Sequence, residues 1–235
     1  MSERLRNIVS ALSCLAIAIG VMLIVMSLNG DKPGVPPSIR QAVPGSQTEN
    51  GELSIDWDEL PSNVVAWVYV PGTKVDYPVV RDNPEEPGFY LSHDAEGAYS
   101  EWGTPYVANG CEDGLESPLV MIYGHHMSDG TMFADFARYS GNSFAEEHGE
   151  IILHTRQRTI HLEPKLVNIV DANAKGVRLD FANQEELDDC MAEEASESEV
   201  SLGTPPTGQR VYAFVTCSYE TGNSRTIVYA TEENR

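Results

Sequence analysis

From residue 64 onward the apolar residues come in short runs rich in β-branched and aromatic types, each ending at a turn signal. "VVAWVYV" (64–70) stops at Pro71-Gly72, and "KVDYPVV" (74–80) alternates so that Val75, Tyr77 and Val79 share one face. "SPLVMIYG" (117–124), "EIILHT" (150–155), "RTIHLE" (158–163), "KLVNIVDA" (165–172), "RVYAFVTCS" (210–218) and "RTIVYAT" (225–231) continue the series. Runs this short and numerous predict a mainly β chain, closed into a barrel with inserted helices. Two segments break the pattern. "TMFADFARY" (131–139) has Met132, Phe133, Phe136 and Ala137 at helical spacing after a Ser-Asp-Gly start. "NQEELDDCMAEEASESE" (183–199) has Asn183 as a cap and Glu186 at the reciprocal position, with a thin stripe of Leu187, Met191 and Ala195. It reads as a helix carried on the surface.

What precedes the barrel is of another kind. Residues 7–28 carry no charge, and about 20 such residues in a helix span a bilayer. The stretch is longer than the apolar core of a cleaved signal peptide, so it reads as an uncleaved signal anchor behind a head of residues 1–6. Basic residues balance across it: Arg4 and Arg6 before, Lys32 and Arg40 after. The short head and long remainder favour a single-pass membrane protein with its main domain outside the cell. Residues 29–51, rich in Pro and Gly, read as an extended stalk, and residues 52–235 as the folded domain. The formal charge of −21 argues against nucleic acid as a partner, since phosphates need Lys and Arg. The four cysteines, Cys14, Cys111, Cys190 and Cys217, show no CxxC spacing, so no structural metal is expected. A Cys111–Cys190 disulfide is open outside the cell and is not decided by sequence.

Chemistry concentrates at two strand ends. "YGHHM" (123–127) places His125 and His126 side by side, and on a strand consecutive side chains point to opposite faces. Cys217 ends the strand "VYAFVTC", and Arg225 opens the next. A hairpin would bring the two to one rim. There an arginine favours the thiolate and can hold a developing oxyanion through its fixed fork of donors. A histidine at another strand end would complete a Cys-His pair for acyl transfer. Two other readings stay open on these residues. One is a metal-dependent hydrolase using His125, His126 or Asp129 and Cys217; its weakness is that neighbouring strand histidines chelate one ion poorly. The other is a binding module in which Cys217 is a buried structural thiol.

The segments "VVAWVYVPGTKVDYPVV", "FYLSHDAEG", "VMIYGHHMSDGTMFADFARY", "FAEEHGEIILHT" and "TCSYETGNSRTIVYAT" together resemble the class B sortases. These are membrane-anchored cysteine transpeptidases of Gram-positive surfaces. The likeness runs in family order over roughly residues 57–231. It implies a closed eight-stranded β-barrel with an N-terminal helix and a helix in the loop before the Cys strand. It maps the general acid/base to His125, the nucleophile to Cys217 and the oxyanion- and substrate-positioning arginine to Arg225. His126 is left to packing or solvent. Thr216, Ser218, Tyr219 and Tyr123, next to these positions, become candidate substrate contacts. Two departures stand out: Val215 replaces a small hydroxyl residue two places before the cysteine, and "GTPYVANGCEDGLESP" (103–118) is a longer, acidic loop around Cys111.

The resemblance further implies cleavage of a C-terminal sorting motif, NPxTN-like or (S/P)PxTG-like, after its Thr. A thioester on Cys217 would then pass to an amine of a peptidoglycan precursor. The partners are sorting-signal peptides of surface proteins, that amine, and the membrane through residues 7–28; no cofactor is implied. A same-fold thiol hydrolase and a pilin-polymerising enzyme with a lysine acceptor are the alternatives.

Overall fold

The computed structural model describes residues 55–171, 173, 178–203, 207–218 and 223–233. The expected head, anchor, stalk and N-terminal helix lie outside these residues. Among the described residues no helix is long and apolar enough to cross a membrane.

Among the described residues nine strands form one sheet: β1 (Val64–Tyr69), β2 (Asp76–Arg81), β3 (Tyr106–Val107), β4 (Leu119–Tyr123), β5 (Ile151–His154), β6 (Thr159–Asp171), β7 (Val200–Ser201), β8 (Val211–Ser218) and β9 (Ser224–Glu232). Their order is β5-β1-β2-β3-β4-β8-β9-β6-β7, and β5 also pairs with β6. That pairing closes eight strands into a barrel and leaves the two-residue β7 attached outside the ring. Closure removes the unpaired edges of an open sheet. Most ladders are antiparallel, but β2 pairs with β3, and β4 with β8, in parallel.

The expected strands 158–163 and 165–172 are one strand, β6. Pro164 cannot donate to a ladder, which is why the sequence reads as two. The chain accommodates it at a register shift against β9 between Pro164 and Leu166. Such a bulge bends the strand without ending it. β6 thereby pairs with β5 through residues 159–162 and with β9 through residues 162–171.

The α-helices among the described residues are α1 (Ala134–Ala137), α2 (Asn142–Glu147) and α3 (Gln184–Ser196). The helix expected over 131–139 is shorter, one α turn continued as a 3₁₀ turn over Arg138–Ser140. Its apolar face is nonetheless as read: Met132, Phe133, Phe136 and Ala137 are all buried. Phe136 stacks on Phe214 of β8 with ring centroids 4.8 Å apart. α3 begins at Asn183, whose side chain accepts from the Glu186 amide at 3.0 Å. Glu186 does not close the reciprocal bond to Asn183; its carboxylate takes the Ala182 amide and the Arg178 guanidinium instead. Leu187 and Met191 bury the inner face of α3, as does Glu194. Glu194 is tied to Asn168 of β6 at 2.8 Å.

Candidate active site

β8 is buried from Val211 to Thr216 and then presents Cys217, the first exposed residue of the strand. Across the hairpin the register sets Cys217 directly opposite Arg225. Directly opposed residues of an antiparallel pair hold their Cβ atoms about 4.5–5.5 Å apart. The half-buried Arg225 guanidinium and the thiol therefore share one rim.

β4 runs beside β8 in parallel, with Tyr123 opposite Val215. One further rung joins the Gly124 amide to the Val215 carbonyl at 3.0 Å. The chain then turns away from β8. The Phe133 amide donates back to the His125 carbonyl at 2.7 Å, and His126 forms an isolated antiparallel bridge with Met132. Met132 has φ 57°, the left-handed region, and its amide is held by the Tyr77 hydroxyl at 3.0 Å. The loop between is pinned by Asp129, which accepts from the Thr131 amide and hydroxyl. Lys74 Nζ in turn donates to the Asp129 carbonyl.

The two histidines diverge here. His125 donates from Nε2 to the Leu91 carbonyl at 2.7 Å. His126, expected to pack or face solvent, donates from Nδ1 to the Cys217 carbonyl at 2.8 Å. Both acceptors are carbonyls, so the nitrogen facing each carries the hydrogen.

His125, Cys217 and Arg225 all open onto one cleft of about 510 Å³. Its floor is Tyr106, Tyr123 and Val215, and Leu91 and Gly110 line it as well. Tyr106 and Tyr123 stack with centroids 5.6 Å apart. Burial raises the pKa of both phenols, so both stay neutral donors at neutral pH. Asp82 also lines the cleft; its carboxylate accepts from the Asn83 and Gly88 amides, each at 2.9 Å. Desolvation raises its pKa against those two bonds, which favour the charged form. Among the described residues no group of three His, Cys, Asp or Glu side chains is placed to hold a metal ion.

Of the other candidates, Tyr123 and Thr216 line the cleft, though Thr216 Oγ1 is buried with no hydrogen-bond partner among the described residues. Ser218 is buried and donates to Ser224 Oγ at 2.9 Å. Tyr219 lies outside the described residues. Cys111 and Cys190 are free thiols, with Cys111 held against β4 by the Met121 amide and the Leu119 carbonyl. Leu91, Asp82 and Gly110 were not singled out from sequence. Asp82 and Gly110 lie in "RDNPEEPG" and "ANGCEDG", which carry only turn signals, and nothing within "FYLSHDAEG" marks Leu91 for the cleft.

A strand-end thiol opposite an arginine, with an imidazole across the same cleft of a closed barrel, is the architecture of a cysteine acyltransferase. The sortase-domain family model matches residues 68–233, and the chain belongs to the sortase family of cysteine transpeptidases. It is 22% identical to sortase B of Listeria monocytogenes over 175 residues, 73% of this chain and 70% of that one. The crystal structure of Clostridium perfringens sortase B is similar at a TM-score of 0.65 and 26% identity, covering 73% of this chain and 94% of that one. The Staphylococcus aureus sortase B–substrate complex shares the fold at a TM-score of 0.66 and 22% identity, covering 75% and 82%.

Proposed function

We propose that this chain cleaves a C-terminal sorting motif, NPxTN-like or (S/P)PxTG-like, and joins the new C-terminus to an amine of a peptidoglycan precursor. The observation that carries the reading is the direct cross-strand pairing of Cys217 with Arg225 in the cleft that also holds His125. The Cys217 thiolate attacks the carbonyl carbon after the motif's Thr. Arg225 holds the oxyanion of the tetrahedral intermediate. As the C–N bond breaks, His125 as imidazolium protonates the leaving amine, and a thioester remains. An incoming amine then attacks the thioester and gives its proton to neutral His125. The C–S bond breaks, and the thiolate and imidazolium return. One group serving as acid and then base suits an imidazole.

The uncharged segment 7–28 supports membrane anchorage with the catalytic domain on the extracellular face.

The test is intact-mass spectrometry of the full-length chain in detergent, mixed with NPxTN-, SPxTG- and LPxTG-type peptides. Cys217→Ala runs beside wild type. An adduct of the N-terminal peptide half on wild type alone is the expected result. An added amine that clears it as a new amide distinguishes transfer from hydrolysis. An adduct that persists on Cys217→Ala sinks the assignment of the nucleophile.

A further inference from the structure

We propose that His126 is a positioning residue for the nucleophile, its ring standing in for a backbone rung that the β4–β8 ladder lacks. The inference rests on the reading of Cys217 as the nucleophile. In a parallel pair, the bonds one strand sends to its neighbour recur every second residue. After the Gly124 amide has donated to the Val215 carbonyl, the next rung is due from the amide of residue 126 to the carbonyl of residue 217. That backbone has already turned away: His126 bridges Met132, and the His125 carbonyl is taken by Phe133. The Cys217 carbonyl would be left open on the β4 side. The His126 imidazole reaches across and donates Nδ1–H to it at 2.8 Å.

The consequence falls on the reacting atom. A peptide unit is planar, so fixing its carbonyl fixes the plane that leaves Cys217 Cα; with ψ held extended by the strand, the direction of the Cα–Cβ bond follows. On its other flank Cys217 is paired with Arg225. The backbone at the nucleophile is thus held on its β4 side at the last turn-ward rungs of β8, where strand ends otherwise fray. Two adjacent histidines then have separate work: His125 opens onto the cleft, and His126 holds the backbone beneath the thiol.

The chemistry makes the test specific. The asparagine side-chain nitrogen is as many bonds from Cα as His Nδ1, whereas the glutamine nitrogen matches Nε2. His126→Asn therefore keeps the rung, and His126→Gln and His126→Ala lose it. Two readouts are taken on the full-length chain in detergent, with melting temperature as the fold control. The first is amide exchange of the segment ending at Ser218. The second is the single-turnover rate of Cys217 acylation by whichever panel peptide modifies wild type.

The expected result is faster exchange and an acylation rate lower by about tenfold to a hundredfold in the Ala and Gln variants. KM stays within about twofold, and Asn lies within about threefold of wild type in both readouts. Exchange in His126→Ala equal to wild type overturns the rung. Faster exchange with unchanged acylation overturns its role in positioning. Should His126→Ala not fold, Asn against Gln decides in the same way. A wild type that takes no acyl group overturns the proposed activity instead, while the exchange arm still decides the rung.

Discussion

The ring of Phe133 closes against the backbone of Gly124, so tightly that a Cβ at position 124 would stand 2.5 Å from its Cγ. Phe133 has nowhere to retreat, since its ring packs on Phe136 at 4.7 Å and Phe214 at 6.4 Å between centroids. Gly124→Ala is expected to cost about 1–3 kcal/mol of stability through overpacking. It also displaces the residue that follows, His125, so acylation falls further than stability alone dictates. Urea unfolding and the thioester assay, run together, check this; wild-type acylation in a destabilised Gly124→Ala would detach the glycine from the histidine's placement.

Leu179 lies over Gly110 at the rim of the cleft, where a Cβ at 110 would come within 2.6 Å of Leu179 Cδ1. Gly110→Ala pushes the segment around 179 outward, and Leu179→Ala makes room. The double variant is therefore expected to be more stable than Gly110→Ala alone, with a coupling of roughly 0.5–3 kcal/mol. Strict additivity in a double-mutant cycle would show that the two loops do not meet in solution.

Arg158 grips Glu232 through two bonds of 2.6 and 2.8 Å, and Tyr212 donates to the same carboxylate at 2.9 Å. The Arg158 hydrogen bond, ahead of burial, holds the Glu232 pKa below its ordinary value. A carboxyl depressed on folding stabilises above its unfolded pKa, about 4.3, and loses that contribution as pH falls through the folded value. Glu232→Gln should cost roughly 1 kcal/mol near pH 7, a modest figure because both side chains are partly exposed. The gap to wild type should begin to narrow as pH falls past about 4.3 and be smaller at about pH 3. Chemical denaturation at the two pH values reads it, and a gap undiminished in acid contradicts the pairing.

Of the three described cysteines, Cys217 is exposed, Cys190 half-buried and Cys111 buried. Burial raises the Cys111 pKa and hides its sulfur. Iodoacetamide at pH 8 is expected to modify Cys217 first and to leave Cys111 unmodified until the chain is unfolded. Peptide mapping of the alkylated protein decides it; a Cys111–Cys190 crosslink in the map would contradict the structure.

The long apolar strands were legible because β-branched runs with period-two faces survive in any context, and the cap at Asn183 because capping is local. β3 was not: two residues, Tyr106 and Val107, owe their strand conformation to neighbours on both sides. Pro164 misled because a bulge is a tertiary accommodation that propensity does not register. At the site, Cys217 and Arg225 could be paired from a hairpin alone. The work of His126 could not be read, because it depends on where a backbone rung is missing. Asp82 and Leu91 reach the cleft through loops whose course no local signal encodes.

The parallel joining of β4 to β8 also bears on how the chain acquires activity. It marries a strand that ends at Tyr123 to one that begins at Val211, and the β1–β5 ladder, with Trp67 opposite His154, links segments as distant. Contacts so remote in sequence form late and slowly, because loop-closure entropy is spent before they repay it. Thiol, guanidinium and imidazole meet only once β4 has found β8. A chain made from its N-terminus would thus stay chemically silent until Arg225 had been added and β4 had found β8, and the onset of acylation would mark the end of folding.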